Sequence, residues 1–161
     1  MSDLSIPRVV FDCNVFLQAL SNPKGPAGAC LQAVWDRRVY LLIDQPLLDE
    51  LSDVANRPQI ERKLRVAQSR FWRLLDQLKN VAIHVENPPE LFTLQRDPSD
   101  SHYVNLAIST ESFLVVSRDK DLLDLMSDRS MDGINIRTQY PYFRVLTPPE
   151  FLRTLRSTES E

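Results

Sequence analysis

Four acids in this chain stand where acids are costly unless they do something together. Asp12 ends a short β-branched and aromatic run, Arg8–Phe11, and a helical pattern of Val15, Phe16, Ala19 and Leu20 follows it. Glu50 lies at the edge of an apolar helical stripe formed by Leu47, Leu48, Leu51, Val54 and Ala55. Asp100 falls in the first turn of a helix for which Asp97 is the expected N-cap and Pro98 the first residue. Asp119 comes shortly after the apolar run Phe113–Val116, separated from it by Ser117 and Arg118. Taken singly, Asp12 reads as a turn or cap, Glu50 as a solvated helix residue, Asp100 as a helix-start acid and Asp119 as a cap. Gathered at one end of a fold, like charges raise one another's pKa and oppose folding unless a cation intervenes. Carboxylate oxygens suit Mg²⁺ or Mn²⁺, and no Cys/His set offers a zinc alternative. Such an ion can acidify a bound water, orient it and offset charge on a phosphorane-like transition state, so phosphoryl hydrolysis is a chemistry this set could perform.

The elements that must position these acids alternate strand and helix. Strands are expected at Arg8–Phe11, Tyr40–Ile43, Val81–Val85, Phe113–Val116 and Arg144–Leu146. Helices are expected after Asp12, at Ala27–Asp36, at Gln45–Asn56 behind Asp44 as N-cap, from Pro58, at Val66–Leu78, after Asp97, at Lys120–Met126 and at Pro148–Leu155. Glu90–Arg96 fits neither pattern. Ser127–Tyr142 reads as a polar, irregular surface excursion, and the tail Ser157–Glu161 as frayed. The order implies one three-layer α/β/α domain over residues 1–161, with its core at about 8–152 and a mostly parallel sheet of four to five strands. In such a sheet, Asp12 and Asp119 both follow strands at the same edge, where open parallel sheets bind ligands.

Composition narrows the setting. The chain has 161 residues, 43% hydrophobic and 25% charged, as in ordinary globular domains. Its formal net charge of -3 gives no global nucleic-acid signature, so a polyanion would need a metal or a local basic patch. No run reaches membrane-span length, and Met1–Pro7 has neither a basic region nor an apolar signal core, so a cytoplasmic protein is expected. Cys13 and Cys30 suggest no disulfide framework.

Four stretches in order carry a family resemblance. They are Val9-Val10-Phe11-Asp12-Cys13-Asn14-Val15-Phe16, Leu48-Asp49-Glu50-Leu51, Asp97-Pro98-Ser99-Asp100 with Leu106-Ala107 downstream, and Leu114-Val115-Val116-Ser117-Arg118-Asp119-Lys120-Asp121-Leu122-Leu123. Together they resemble the PIN-domain nucleases, most closely the VapC-like branch of toxin components of toxin–antitoxin pairs. Val145–Leu152 also looks like that branch, so the likeness runs from about Arg8 to Leu152. It implies Mg²⁺- or Mn²⁺-dependent cleavage of single-stranded RNA, using one or two ions. The family's acids map onto Asp12, Glu50, Asp100 and Asp119. Asn14 and Ser117 match the polar residues that support them, with Asp97 and Asp121 as further supporting or extra ligands. Cys13 departs from the pattern, standing where Thr, Ser or Ala is usual. The resemblance also implies a small antitoxin partner and a homodimer. A dimer is further suggested by helices carrying Trp35, Phe71 and Trp72.

Other residues admit competing uses. Arg57, Arg62, Lys63, Arg65, Arg70 and Arg73 face a single acid, Glu61, between positions 57 and 73, and form either an RNA-backbone track or a solvated helix face. His102 is read as a surface or packing residue in preference to a base, since metal-bound water needs no His. A haloacid-dehalogenase-type phosphatase also begins with Asp after a strand, but it needs a second Asp where this chain has Asn14. A degenerate PIN fold that only binds RNA or a partner is the non-enzymatic alternative.

Overall fold

Five short strands, β1 (Arg8–Phe11), β2 (Tyr40–Ile43), β3 (Ile83–His84), β4 (Leu114–Val116) and β5 (Arg144–Leu146), form one all-parallel sheet in the computed structural model, which describes residues 6–159. Their order is β3-β2-β1-β4-β5. Register pairs Val9 with Leu41, Val10 with Val115 and Val116 with Leu146. The central strands are apolar at nearly every position because both of their faces are covered, and Val9, Val10, Phe11, Ile43, Val115 and Val116 are wholly buried. The chain leaves β1 first toward β2 and later re-enters the sheet beside it as β4, which opens a crevice beyond the carboxyl ends of β1 and β4.

Among the described residues there are nine α-helices: α1 (Cys13–Ser21), α2 (Pro26–Trp35), α3 (Gln45–Ala55), α4 (Ile60–Leu64), α5 (Gln68–Val81), α6 (Ser101–Ser109), α7 (Lys120–Leu123), α8 (Met131–Gln139) and α9 (Pro148–Glu159). With this strand order, the right-handed rule for parallel crossovers assigns α1 to α5 to one face of the sheet and α6 to α8 to the other. In keeping with this, α1 packs on α2 and α3, α3 on α5, and α6 on β1 and β4, while α9 returns to α2. Phe11 meets Phe16 of α1 and, edge to face, Phe151 of α9, with ring centroids 5.8 and 6.1 Å away. Both cysteines are buried and free.

Several sequence expectations need correction. Ser127–Tyr142 is not an irregular excursion, since Met131–Gln139 forms α8 with Asp132, Gly133 and Ile136 buried. Its pattern is hidden because one of its core positions is Gly133, which lets the helix approach Leu125 so closely that a Cβ would lie 2.6 Å from the Leu125 carbonyl oxygen. The residues after Asp97 form a 3₁₀ turn, Pro98–Asp100, before α6, and the Asp97 carboxylate does not cap it but accepts from Ser99 Oγ at 2.6 Å. Val81 ends α5, so β3 is only two residues long. α9 continues to Glu159, into the stretch expected to be frayed, where Arg38 Nη2 donates to Glu159 Oε2 at 2.9 Å. Ser160, Glu161 and the leader reading of Met1–Pro7, up to Ser5, lie outside the described residues. The ambiguous stretch Glu90–Arg96 is irregular, and buried polar side chains replace the sheet ladder there. Asn105 Oδ1 accepts from Leu91 N and Phe92 N at 2.9 and 2.8 Å, Ser101 Oγ from Leu94 N at 2.9 Å, and Asp132 Oδ2 from Gln95 N at 2.9 Å.

Candidate active site

Asp12 is the hinge between β1 and α1. Its extended backbone ends the strand, and its Oδ1 accepts from Val15 N at 3.1 Å as the helix N-cap. The ordinary role and the functional one thus coexist in this residue. Ser117, just past β4 and fully buried, donates its hydroxyl to Asp12 Oδ2 and accepts from Asp119 N at 2.8 Å. One hydroxyl therefore ties the two strand-end acids together. Asp119 caps α7 by accepting from Asp121 N at 2.8 Å.

Glu50 enters from α3 and is met by α6. Its Oε1 accepts from the Tyr103 hydroxyl at 3.0 Å and lies 2.8 Å from His102 Nε2. The same Tyr103 oxygen accepts from Cys13 N at 3.0 Å, which joins α3, α6 and α1 at one point. On its other side, His102 Nδ1 sits 2.9 Å from Oδ2 of Asp44, the buried N-cap of α3. In the sequence, Asp44 reads only as a cap, Tyr103 only as core and His102 as a surface or packing residue. The signal for the cluster exists only in three dimensions, since Asp44 and His102 are 58 positions apart.

Asp100 ends the 3₁₀ turn and leads into α6, and its carboxylate accepts no hydrogen bond among the described residues. Burial, then the charges of Asp97, Asp119, Glu50 and Asp12, raise its carboxyl to about 7. Burial likewise raises Asp12 to about 6 despite the Ser117 and Val15 hydrogen bonds, with the Asp119 and Glu50 charges adding to the rise. Burial works against a charged His102, yet its hydrogen bonds to Asp44 and Glu50 and their charges lift it to about 9, so it is an imidazolium donating from both nitrogens near neutral pH. Burial, then the Glu50 charge, holds the Tyr103 hydroxyl well above its ordinary range as a neutral donor. Burial with Glu50 and Asp12 pushes the Cys13 thiol up to about 12, so the residue that departs from the expected pattern is an un-ionised thiol.

The supporting residues divide. Ser117 is built into the site, whereas Asn14 is exposed and its side chain has no hydrogen-bond partner among the described residues. Asp121 is engaged by Arg96 Nε at 2.9 Å, and Asp97 acts on Asp100 through its charge. Arg57, Arg62, Lys63, Arg65, Arg70 and Arg73 are all exposed on and around α4 and α5, and the Arg57 charge reaches Cys13. Phe71 is in the core and Trp72 is 40% exposed.

In donor type and uncompensated negative charge, the crevice suits a hard divalent cation. Asp12, Glu50 and Asp119 all act on Asp100 through their charges, so the four acids share the crevice. Among the described residues no three His, Cys, Asp or Glu side chains are grouped so as to hold an ion. Glu50 is engaged by His102 and Tyr103, and Asp12 by Ser117.

The all-parallel sheet, with an acidic crevice at its switch point, defines an α/β domain of the ligand-binding open-sheet type. Residues 8–121 match the PIN domain family, and the chain belongs to it. PIN domains are generally nucleases that act on nucleic acids and use divalent metals. An uncharacterized protein of Methanocaldococcus jannaschii is 28% identical over 145 residues, which cover 90% of this chain and 89% of that protein. No solved structure matches the chain. No helix among the described residues is long and apolar enough to cross a membrane.

Proposed function

We propose that this protein is a Mg²⁺- or Mn²⁺-dependent endoribonuclease acting on single-stranded RNA, with Asp12, Glu50, Asp100 and Asp119 as its acidic set. The observation that carries this reading is the Ser117 bridge, which holds Asp12 and Asp119 together at adjacent strand ends in the crevice where such sheets bind ligands. Asp12, Asp100 and Asp119, with Glu50, would hold the cation. When bound, the ion would acidify a water and offset negative charge on the phosphate. The chain's own residues do the positioning. Ser117 sets the Asp12 carboxylate, Tyr103 and His102 orient Glu50, and the exposed Arg57, Arg62, Lys63 and Arg65 would meet RNA phosphates on the Glu50 side.

The family likeness extends this to a VapC-like toxin held in check by a small antitoxin, acting in the cytoplasm as a homodimer. Support for the dimer from aromatic residues narrows to the exposed Trp72, with Trp35 partly buried and Phe71 fully so. Light scattering that gave a monomer mass at tens of micromolar would remove the dimer.

The deciding experiment is cleavage of a single-stranded RNA with added Mn²⁺ or Mg²⁺, wild type beside Asp12→Asn. Wild-type cleavage that is abolished by chelation and by the substitution supports the reading. Cleavage that survives both ends it. RNA binding without cleavage by the wild type would favour the binding-only PIN fold.

A further inference from the structure

An open groove of ≈ 710 Å³ runs between the Gln95–Arg96 segment, the start of α7 and the first half of α8. Its size falls within the roughly 300–1,000 Å³ of sites for small ligands, ample for nucleotide units. Lys120, the residue after Asp119, lines one end. A cleft of ≈ 20 Å³ continues it toward Asp97 and Asp121, the near neighbours in sequence of Asp100 and Asp119, because Arg96, Asp124, Ser130 and Asp132 line both spaces while Asp97 and Asp121 line the cleft.

The groove is built rather than incidental. Asp132 of α8 is buried and accepts from both Gln95 N and Arg96 N, at 2.9 and 3.4 Å, which fixes one wall against the other. That carboxylate is therefore spent on the backbone. Asp124 is answered by Arg96 Nη1 at 2.9 Å. Lys120 and Arg129 are exposed and have no ion-pair partner among the described residues, so the charge the groove offers to a visitor is positive. In the same groove Met131, 72% exposed, presents an apolar surface one helical turn from the uncharged Asn135.

Resting on the nuclease reading above, we propose that this groove seats the RNA strand on the Asp119 side of the scissile phosphate, with Lys120 and Arg129 on backbone phosphates and Met131 against an unstacked base. Cations and an apolar surface in one groove suit a single strand, because a duplex turns its bases inward and leaves Met131 nothing to touch. Phosphates on both sides of the cleaved one need cations on both sides of the acidic crevice. Arg57, which follows the Glu50 helix α3 and whose charge reaches Cys13 beside Asp12, stands on one side, and the groove supplies the other.

The test measures binding of a short fluorescent oligouridylate in chelator, where cleavage does not interfere, by anisotropy over a range of salt. Lys120→Glu with Arg129→Glu should weaken binding at least tenfold. The log–log salt slope should fall by about 0.7 for each phosphate that the variant no longer neutralises. Met131→Ser should weaken binding a few-fold and leave the slope unchanged. If the charge-reversed protein fails to fold, Lys120→Gln with Arg129→Gln reads the same slope change without reversal. Wild-type binding with unchanged affinity and slope in these variants overturns the groove while leaving the nuclease reading intact, and would turn attention to a protein occupant. A wild type that neither binds nor cuts single-stranded RNA overturns both.

Discussion

His102 Nε2 lies 2.8 Å from Glu50 Oε1, on an imidazole whose other nitrogen is 2.9 Å from Asp44 Oδ2. A cation of the protein's own thus stands between a half-exposed acid of the crevice and a buried helix cap. The Tyr103 ring, 3.9 Å away centroid to centroid, backs the imidazole.

Removing that imidazole leaves Asp44 buried with only the Leu47 amide to answer its charge. His102→Ala should cost about 2–4 kcal/mol of metal-free stability near neutral pH. The cost should shrink above the His102 pKa of about 9, where the wild type has lost the same positive charge. Urea denaturation at neutral and at alkaline pH reads both. Equal midpoints for wild type and variant near neutrality would show that the bridge contributes nothing.

Stability should also follow pH in a definite direction. Asp12 and Asp100 bind protons more tightly folded than unfolded, so their contribution declines as pH rises from 3.8 through about 6 and about 7. The contribution of His102 is complete below 6.5 and is lost as pH rises through about 9. Glu150, held down by Thr147 hydrogen bonds, and Glu159, held down by Arg38, act oppositely and lose their contribution only below their ordinary 4.5. In chelator, the melting temperature should therefore peak at about pH 4 and fall toward pH 9. A melting temperature that climbs from about pH 5 to about pH 7 would contradict this assignment of charge.

Asp12→Asn preserves the helix cap, since Asn serves at that position as well as Asp, but deletes a charge from the crevice. Without metal, its melting temperature should equal or exceed the wild type's, because repulsion is relieved. Added Mg²⁺ or Mn²⁺ should raise the wild type's melting temperature and leave the variant's nearly still. Asp49→Asn is the control, because Asp49 is exposed and engaged only by Gln45 Nε2 at 2.9 Å. An equal metal-induced shift in all three proteins would remove Asp12 from the cation's ligands.

Gly133→Ala should destabilise by about 1–3 kcal/mol, because its methyl group meets the Leu125 backbone rather than a side chain that could move aside. Since α8 forms a wall of the groove, the substitution should also weaken oligouridylate binding. An unchanged urea midpoint would mean that α8 sits less tightly than the structure has it.

The central strands and three of the acids' positions were legible because each depends on a local rule. Val9–Phe11 and Leu41–Ile43 announce buried strands by composition, and Asp12 and Asp119 announce themselves as the polar residues that end such runs. Glu50 could be placed at a stripe's edge from helical periodicity, but its partners could not, since His102 and Tyr103 come from a helix more than fifty positions away. The segment Glu90–Arg96 has no periodicity because its hydrogen bonds go to Asn105, Ser101 and Asp132 rather than to a neighbouring strand. α8 was missed for a related reason. Its burial rests on a glycine and an aspartate, residue types that a hydrophobic pattern scores as loop.

The sheet carries its own terminators. One border, β3, is two residues long, and the other, β5, is three. Neither offers an incoming strand more than a couple of backbone partners, so the ladder has no room to propagate into a second molecule. A companion is therefore left to the side chains of helices and loops, which evolution can change one at a time without disturbing the framework that holds the acids.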